Sequence, residues 1–259
     1  MKTKKLSFKG GGGNRLSALL DRPDKAETEA LALFAHCFTC TKNLKPVNYI
    51  SRALTREGIA VLRFDFTGLG ESGGDFSDTN FSTNISDLTA AADFLEANFE
   101  APKLMVGHSL GGAAVLKAAG RISSCKAVAV IGAPSDPAHV RRHFSNHQEA
   151  IAQNGEAEIA IDGRPFRIKK QFLEDLGESQ LKTAVRNLRK ALLVLHSPTD
   201  EIVGIENAGR IFQYARHPKS FISLDRADHL LMNPVDAQYA GDMIASWVRR
   251  YLDLRKEDS

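Results

Sequence analysis

The chain has 259 residues, of which 43% are hydrophobic and 25% charged, and its formal net charge is +3. This composition is typical of a soluble globular protein, and so small a positive charge gives no argument for nucleic acid binding. No apolar run reaches membrane-spanning length, and the basic start at Met1–Lys5 has no apolar segment behind it, so we expect no membrane segment and no signal peptide. Three cysteines, a small and odd number, predict no disulfide framework and fit a reducing cytoplasm.

In chain order, residues 4–9 and 15–20 alternate in a strand-like way around a glycine-rich turn, which predicts an antiparallel hairpin. Short apolar runs that follow predict buried strands at Leu31–His36, Ile59–Phe66, Lys103–Val106, Ala127–Ile131, Ala191–His196 and Ser220–Leu224. Helical spacing or helix-forming composition appears from Pro46 to Leu54, Ile85 to Phe99, Ala113 to Ala119 and Pro234 to Tyr251. The alternation predicts an α/β fold with a mostly parallel, doubly wound sheet.

The alternation stops after Pro134, where the chain becomes polar. The Asp162–Gly163 turn predicts a small hairpin, and a helix is expected near Phe172–Leu176. Because the excursion at 135–188 leaves from a strand end, we predict a lid or cap insertion over that edge of the sheet. No linker divides the chain, so we expect one domain over 1–259 with this insertion.

A G-x-S-x-G motif lies at Gly107–Gly111, between a predicted strand and a predicted helix. In that context Ser109 is expected at a tight nucleophile elbow, with the helix N-terminus near a developing oxyanion. The simpler interpretation is an ordinary glycine-rich turn that carries a surface serine.

A serine nucleophile needs a base, and the base needs an orienting carboxylate. Asp200 follows one late strand and His229 follows the last, so both are expected at the same sheet edge as Ser109. Glu201 is the alternative acid. Asp200 could instead be a turn or capping residue, and His229 a capping or surface histidine.

The oxyanion hole needs two N–H donors. We expect one from Leu110 and the other from the loop after the first buried strand, at Phe38 or, alternatively, Cys37. His36 in that loop fits a bracing role better than a chemical one.

Five motifs resemble the α/β-hydrolase superfamily, and more narrowly the serine esterase domain often fused ahead of an OsmC-like peroxidase domain. They are FAHCF at Phe34–Phe38, FDFTGLGES at Phe64–Ser72, GHSLGG at Gly107–Gly112, HSPTD at His196–Asp200 and ADHLL at Ala227–Leu231. The resemblance implies the α/β-hydrolase fold and hydrolysis of short acyl or aromatic-acid esters, with Ser109 as nucleophile, Asp200 as acid and His229 as base. No OsmC-like domain follows Ser259, so a peroxidase activity is not carried over, and the chain is expected to be a stand-alone form or part of a longer fusion.

Three other signals have competing interpretations. Cys37 and Cys40 form a C-x-x-C, which would favour a thiol-based redox protein. His139, His143 and His147 share a helical spacing that suits a metal, although a solvated helix explains them more simply. Arg63, Asp65 and Glu71 are expected to form at most a structural ion pair.

The hypothesis is therefore a serine esterase that acts on a small-molecule ester in the cytoplasm. It needs no cofactor and no metal, and nucleic acid and membrane partners are not expected. The sequence leaves open whether the chain forms a homo-oligomer. A thioesterase, an amidase and a non-catalytic binding module with the same fold are the alternatives.

Overall fold

A computed structural model describes residues 1–24, 27–161, 163–177 and 180–252. The strands, numbered in chain order, are β1 Lys2–Lys9, β2 Arg15–Arg22, β3 Ala30–Ala35, β4 Ile59–Phe64, β5 Leu104–His108, β6 Ala127–Ile131, β7 Glu156–Ile161, β8 Arg164–Lys169, β9 Ala191–His196 and β10 Lys219–Ser223. The main sheet has eight strands in the order β1-β2-β4-β3-β5-β6-β9-β10, and β7 and β8 form a separate hairpin. Only the β1–β2 and β2–β4 pairings of the main sheet are antiparallel. The predicted parallel sheet with an antiparallel N-terminal hairpin is confirmed.

Helices cover both faces of this sheet. They are α1 Lys45–Arg56, α2 Phe81–Asn98, α3 Leu110–Ala118, α4 Gln148–Asn154, α5 Lys170–Gly177, α6 Leu181–Arg186, α7 Glu206–Tyr214 and α8 Pro234–Leu252, with 3₁₀ helices at Phe76–Asp78 and Pro137–His147. Ile50 of α1 and Ile244 of α8 pack on one face, and Leu88 of α2 and Val115 of α3 on the other. Strand β3 is buried at every position because it lies between these two layers, which explains its continuous apolar sequence. No helix among the described residues is long and apolar enough to cross a membrane.

The segment between β6 and β9 leaves and rejoins the sheet at neighbouring strands. Its hairpin, β7–β8, lies where the Asp162–Gly163 turn was predicted, although Asp162 itself is outside the described residues. The helix expected at Phe172–Leu176 falls within α5. Helix α6 contacts α3 and α7 and thus joins the layer that covers the sheet.

Two buried cations form ion pairs: Lys42 in the loop after β3 and Arg63 in β4. The Lys42 ammonium lies 2.5 Å from Asp65 and 2.7 Å from Glu71, and the Arg63 guanidinium lies 2.7 Å from Asp21. Arg63, Asp65 and Glu71 thus all take part in structural ion pairs, but with Asp21 and Lys42 and not with one another. Arg63 turns to Asp21 because the β2–β4 register places the two residues diagonally on the same sheet face.

Lys42 also joins the backbone of its loop to these pairs. Its amide donates to Asp65, and its carbonyl accepts from Arg63. Asp65 lies just past β4, so the loop after β3 is fastened to the end of the adjacent strand.

Replacing Lys42 with methionine should lower the free energy of unfolding by about 3–5 kcal/mol, because it leaves the Asp65 carboxylate buried without its cation. Lys2→Met is the matched control, since Lys2 and Asp24 form an exposed ion pair at 3.5 Å. Urea unfolding of both variants tests this. Equal stability of the two would contradict a structural role for the buried pair.

Candidate active site

Ser109 lies in the sharp turn between β5 and α3. Its backbone has φ 54° and ψ −126°, a conformation that side-chain-bearing residues rarely adopt. The Ser109 N–H donates to the Ile131 carbonyl at 2.8 Å, which ties the turn to β6. A Cβ at Gly107 would lie 2.5 Å from the Gly111 carbonyl oxygen, so the turn requires a glycine there.

The structure brings Ser109, His229 and Asp200 together in one hydrogen-bonded chain. His229 Nε2 lies 2.9 Å from Ser109 Oγ, and His229 Nδ1 lies 2.7 Å from Asp200 Oδ2. With Asp200 ionised, Nδ1–H donates to the carboxylate, and Nε2 is left to accept the serine proton. The alternative acid, Glu201, is exposed and makes no such contact with His229.

Asp200 is held by its own loop. Its Oδ1 accepts from the amides of Ile202 and Val203, both at 2.9 Å, which leaves Oδ2 for His229. Burial alone would raise the pKa of Asp200, but these hydrogen bonds and the imidazole outweigh it and lower the pKa below its ordinary value. The carboxylate therefore stays ionised and can orient the ring.

The two backbone amides expected to form the oxyanion hole lie in the loop after β3 (Phe38) and at the first residue of α3 (Leu110). Neither Phe38 N–H nor Leu110 N–H donates a hydrogen bond to any described residue. An unpaired amide N–H is available to donate a hydrogen bond to an oxyanion. Both residues line one narrow pocket with mainly apolar walls: His36, Cys37, Phe38, Thr39, Phe66, Leu69, Phe76, Thr79, Asn84, Leu110, Gly111 and Phe172.

Cys37 and Cys40 form a disulfide across the loop that carries Phe38. The prediction from composition, that the chain has no disulfide framework, did not anticipate this one local bond. The cysteine count ignored local geometry: the turn brings the two Cα atoms to 5.3 Å, within the range that a disulfide spans. The pairing removes the cysteine-based argument for a reducing compartment and leaves Cys125 as a buried free thiol.

Three further residues of the site were not singled out from the sequence. Gly132, with φ +55°, follows β6, and a Cβ there would lie 3.3 Å from Asp200 and 3.4 Å from the His229 ring. His108 and His196 end their strands and bond to the His229 and Val203 carbonyls. The sequence could have indicated a role for His108 and His196, because both lie at the carboxyl ends of predicted parallel strands.

Of the three histidines weighed as metal ligands, His139 makes a hydrogen bond elsewhere. His139 bonds to the Ile202 carbonyl at 2.7 Å, and the His143 side chain lies outside the described part of the chain. Among the described residues, no group of three or more His, Cys, Asp or Glu side chains is arranged to hold a metal ion.

The sequence profile of the alpha/beta hydrolase family matches residues 32–243. The chain belongs to this family. The matched range contains every residue of the Ser109–His229–Asp200 arrangement. It also contains both unpaired amides and the whole segment between β6 and β9.

The chain is also similar to solved structures and to a curated sequence. The esterase domain of a Rhodothermus marinus protein is 54% identical, with 97% of this chain and 100% of that one covered and a TM-score of 0.80. Est1E from Butyrivibrio proteoclasticus, solved with ferulic acid bound, is 21% identical, with 95% and 99% covered and a TM-score of 0.82, and shows the common fold. The uncharacterized protein YfhR of Salmonella typhimurium is 23% identical over 180 residues, which are 68% of this chain and 57% of YfhR. The chain thus spans little more than half the length of that relative.

Gly111→Ala should displace the loop that carries Phe38. A Cβ at Gly111 would lie 2.6 Å from the Ala35 carbonyl oxygen and closer still to that of His36, so the backbone must move. We expect a loss of about 1–3 kcal/mol in the free energy of unfolding. Gly120→Ala is the control, because its Cβ would meet only the Lys117 carbonyl oxygen, at 3.7 Å. Denaturant titration that shows equal losses would argue against the close approach.

Proposed function

We propose that this chain hydrolyses carboxylic esters through an acyl-enzyme on Ser109. The observation that carries the proposal is the hydrogen-bonded chain from Ser109 through His229 to Asp200, beside the unpaired amides of Phe38 and Leu110. The 54% identity to a domain described as an esterase supports the same chemistry.

In the acylation step, Ser109 Oγ attacks the ester carbonyl carbon while its proton passes to His229 Nε2. The electron pair displaced onto the carbonyl oxygen is stabilised by the Phe38 and Leu110 N–H groups. His229 then gives its proton to the departing alkoxide oxygen, and Asp200 stays ionised beside the imidazolium.

In the second step, water attacks the acyl group on Ser109. Its proton passes to His229 Nε2, and a second tetrahedral species collapses to release the carboxylic acid and restore the serine hydroxyl. This chemistry uses only groups of the chain and water.

The segment between β6 and β9 is proposed to act as the lid that shapes the substrate pocket. Phe172 of α5 packs on Phe38, with ring centroids 5.5 Å apart, and Arg164 of β8 donates to the Thr39 carbonyl at 2.6 Å. His139 of the same segment bonds to the loop that holds Asp200. These contacts reach two of the loops that surround Ser109. A small-molecule ester, in the short acyl or aromatic-acid class, is the substrate we propose.

Hydrolysis of p-nitrophenyl esters from acetate to laurate, with one aromatic-acid ester, tests the proposal. Ser109→Ala should lower kcat/KM on the order of 10⁴–10⁶-fold, because it removes the nucleophile. The exposed Ser123 provides the matched control, and Ser123→Ala should keep wild-type activity. A fluorophosphonate probe should label the wild type and not Ser109→Ala.

Two results would contradict the proposal. Wild type that neither hydrolyses an ester nor takes up the probe would favour a binding module with this fold. Activity that survives in Ser109→Ala would assign the chemistry to another group, and variants of Cys37 and Cys40 would then be measured.

Asp200→Asn should lower kcat on the order of 10⁴-fold. The amide cannot accept from Ile202, Val203 and His229 together, so the imidazole loses its orientation and tautomer. Glu201→Gln, one residue away and exposed, should stay near wild-type activity. If the larger loss followed the Glu201 change, the acid would be assigned to Glu201.

A further inference from the structure

Three buried histidines lie at the carboxyl ends of three parallel strands. His36 follows β3, His108 ends β5 and His196 ends β9, and their exposed fractions are 1%, 4% and 0%. Each has one ring nitrogen on a backbone carbonyl of the site: His36 on Cys37 at 2.8 Å, and the other two at 2.7 Å on the carbonyls of His229 and Val203.

These contacts define the tautomer of each ring. A carbonyl oxygen only accepts, so the bonded ring nitrogen must carry the proton. His36 is therefore protonated on Nδ1, whereas His108 and His196 are protonated on Nε2. Burial lowers the pKa of all three, that of His108 to about 3, which favours the neutral ring.

Charged neighbours modify this state without reversing it. Asp65 and Lys42 act on His36 in opposite directions. Asp200 and Glu206 raise the pKa of His196, and the His229 ring lowers it. For His108, His229 and His36 lower the pKa, and Asp200 raises it.

The His36 contact acts directly on the oxyanion amide. The Cys37 carbonyl and the Phe38 N–H belong to one planar trans peptide, so they point in opposite directions. This carbonyl accepts from His36 Nδ1 and, at 3.2 Å, from the Cys40 amide, and together they aim the Phe38 N–H the other way and leave it unpaired. Rotation of this peptide would replace the donor with a carbonyl oxygen, which repels an oxyanion.

The other two contacts act on the base and the acid. His108 holds the backbone of His229, the residue whose ring bridges Ser109 and Asp200. His196 holds the Val203 carbonyl, and the Val203 amide is one of the two donors to Asp200 Oδ1.

Packing alone does not account for histidine at these positions. His36 Nε2 and His196 Nδ1 are buried with no hydrogen-bond partner among the described groups. An unpaired buried polar atom costs about 1–3 kcal/mol, which an apolar side chain would avoid. What the two histidine rings provide, and an apolar side chain would not, is the N–H that donates to the backbone carbonyl.

We propose that His36, His108 and His196 are positioning residues that hold, respectively, the oxyanion peptide, the base and the acid in their reactive geometry. The inference rests on the proposed ester hydrolysis, because it assigns these loops to steps of that reaction.

The test exploits the different nitrogens used. An asparagine amide nitrogen occupies nearly the place of Nδ1, and that of glutamine nearly the place of Nε2. His36→Asn should therefore keep most of kcat, whereas His36→Gln and His36→Leu should lose about 10²–10³-fold, as expected for a lost oxyanion donor. At positions 108 and 196 the order should reverse, with glutamine retaining kcat and asparagine or leucine losing about 10–100-fold.

In the variants that lose activity, KM should change little, because the groups that are held act in the transition state. A trifluoromethyl ketone, which forms a tetrahedral adduct on Ser109, should bind more weakly in proportion to the loss of kcat at position 36. A purely structural histidine would show equal losses for asparagine and glutamine, and that outcome overturns the proposal. So does a change confined to KM.

These outcomes separate the inference from the function on which it rests. If Ser109→Ala is inactive while all the histidine variants keep kcat, only the positioning proposal fails. If Ser109→Ala keeps the activity, the esterase mechanism fails first.

Nitrogen-15 NMR of wild-type histidine rings tests the assignment without activity or variants that must fold. At pH 7 it should show neutral His36 protonated on Nδ1 and neutral His108 and His196 protonated on Nε2. A different tautomer, or a charged ring at this pH, would overturn the proposal.

Discussion

The reactive geometry depends on the backbone conformation of Ser109. At φ 54° the chain passes from β5 to α3 within one residue, and the Ser109 hydroxyl lies 2.9 Å from His229 Nε2. The conformation is unfavourable by itself, and it persists because the Ile131 carbonyl and the close packing of Gly107 and Gly111 over-determine it. The other residues of the site lie in loops that meet at the Ser109 turn.

Directional polar contacts hold those loops in addition to apolar packing. Lys42 joins the loop after β3 to Asp65. Arg63 donates a hydrogen bond to the Lys42 carbonyl and forms an ion pair with Asp21. Asp200 accepts hydrogen bonds from two amides of its own loop with one carboxylate oxygen and contacts His229 with the other. Directional bonds suit this task because a hydrogen bond specifies an angle as well as a distance.

The sequence was most informative where one physical rule decides the outcome. Continuous apolar runs predicted Ala127–Ile131 and Ala191–His196 with the observed limits, since strands buried on both faces have no polar positions. Parallel strands end at one edge, so the order Ser109, Asp200, His229 predicted residues that the structure does bring together.

Sequence-based prediction failed for features that depend on which residues are neighbours in space and not in sequence. Nothing in the periodicity indicates that Arg63 faces Asp21, which depends on the β2–β4 register, and helix α7 was not predicted. The Cys37–Cys40 bond depends on the curvature of a four-residue turn, which a count of cysteines cannot express.

The segment between β6 and β9 begins and ends on two strands that are hydrogen-bonded neighbours. Its length therefore has no bearing on the register of the sheet. A change of length in the part of the segment that precedes α6 leaves in place the strands β5 and β9, which lead to Ser109 and Asp200. In the esterase that we propose, such a change would alter the range of substrates and leave the chemistry as it is.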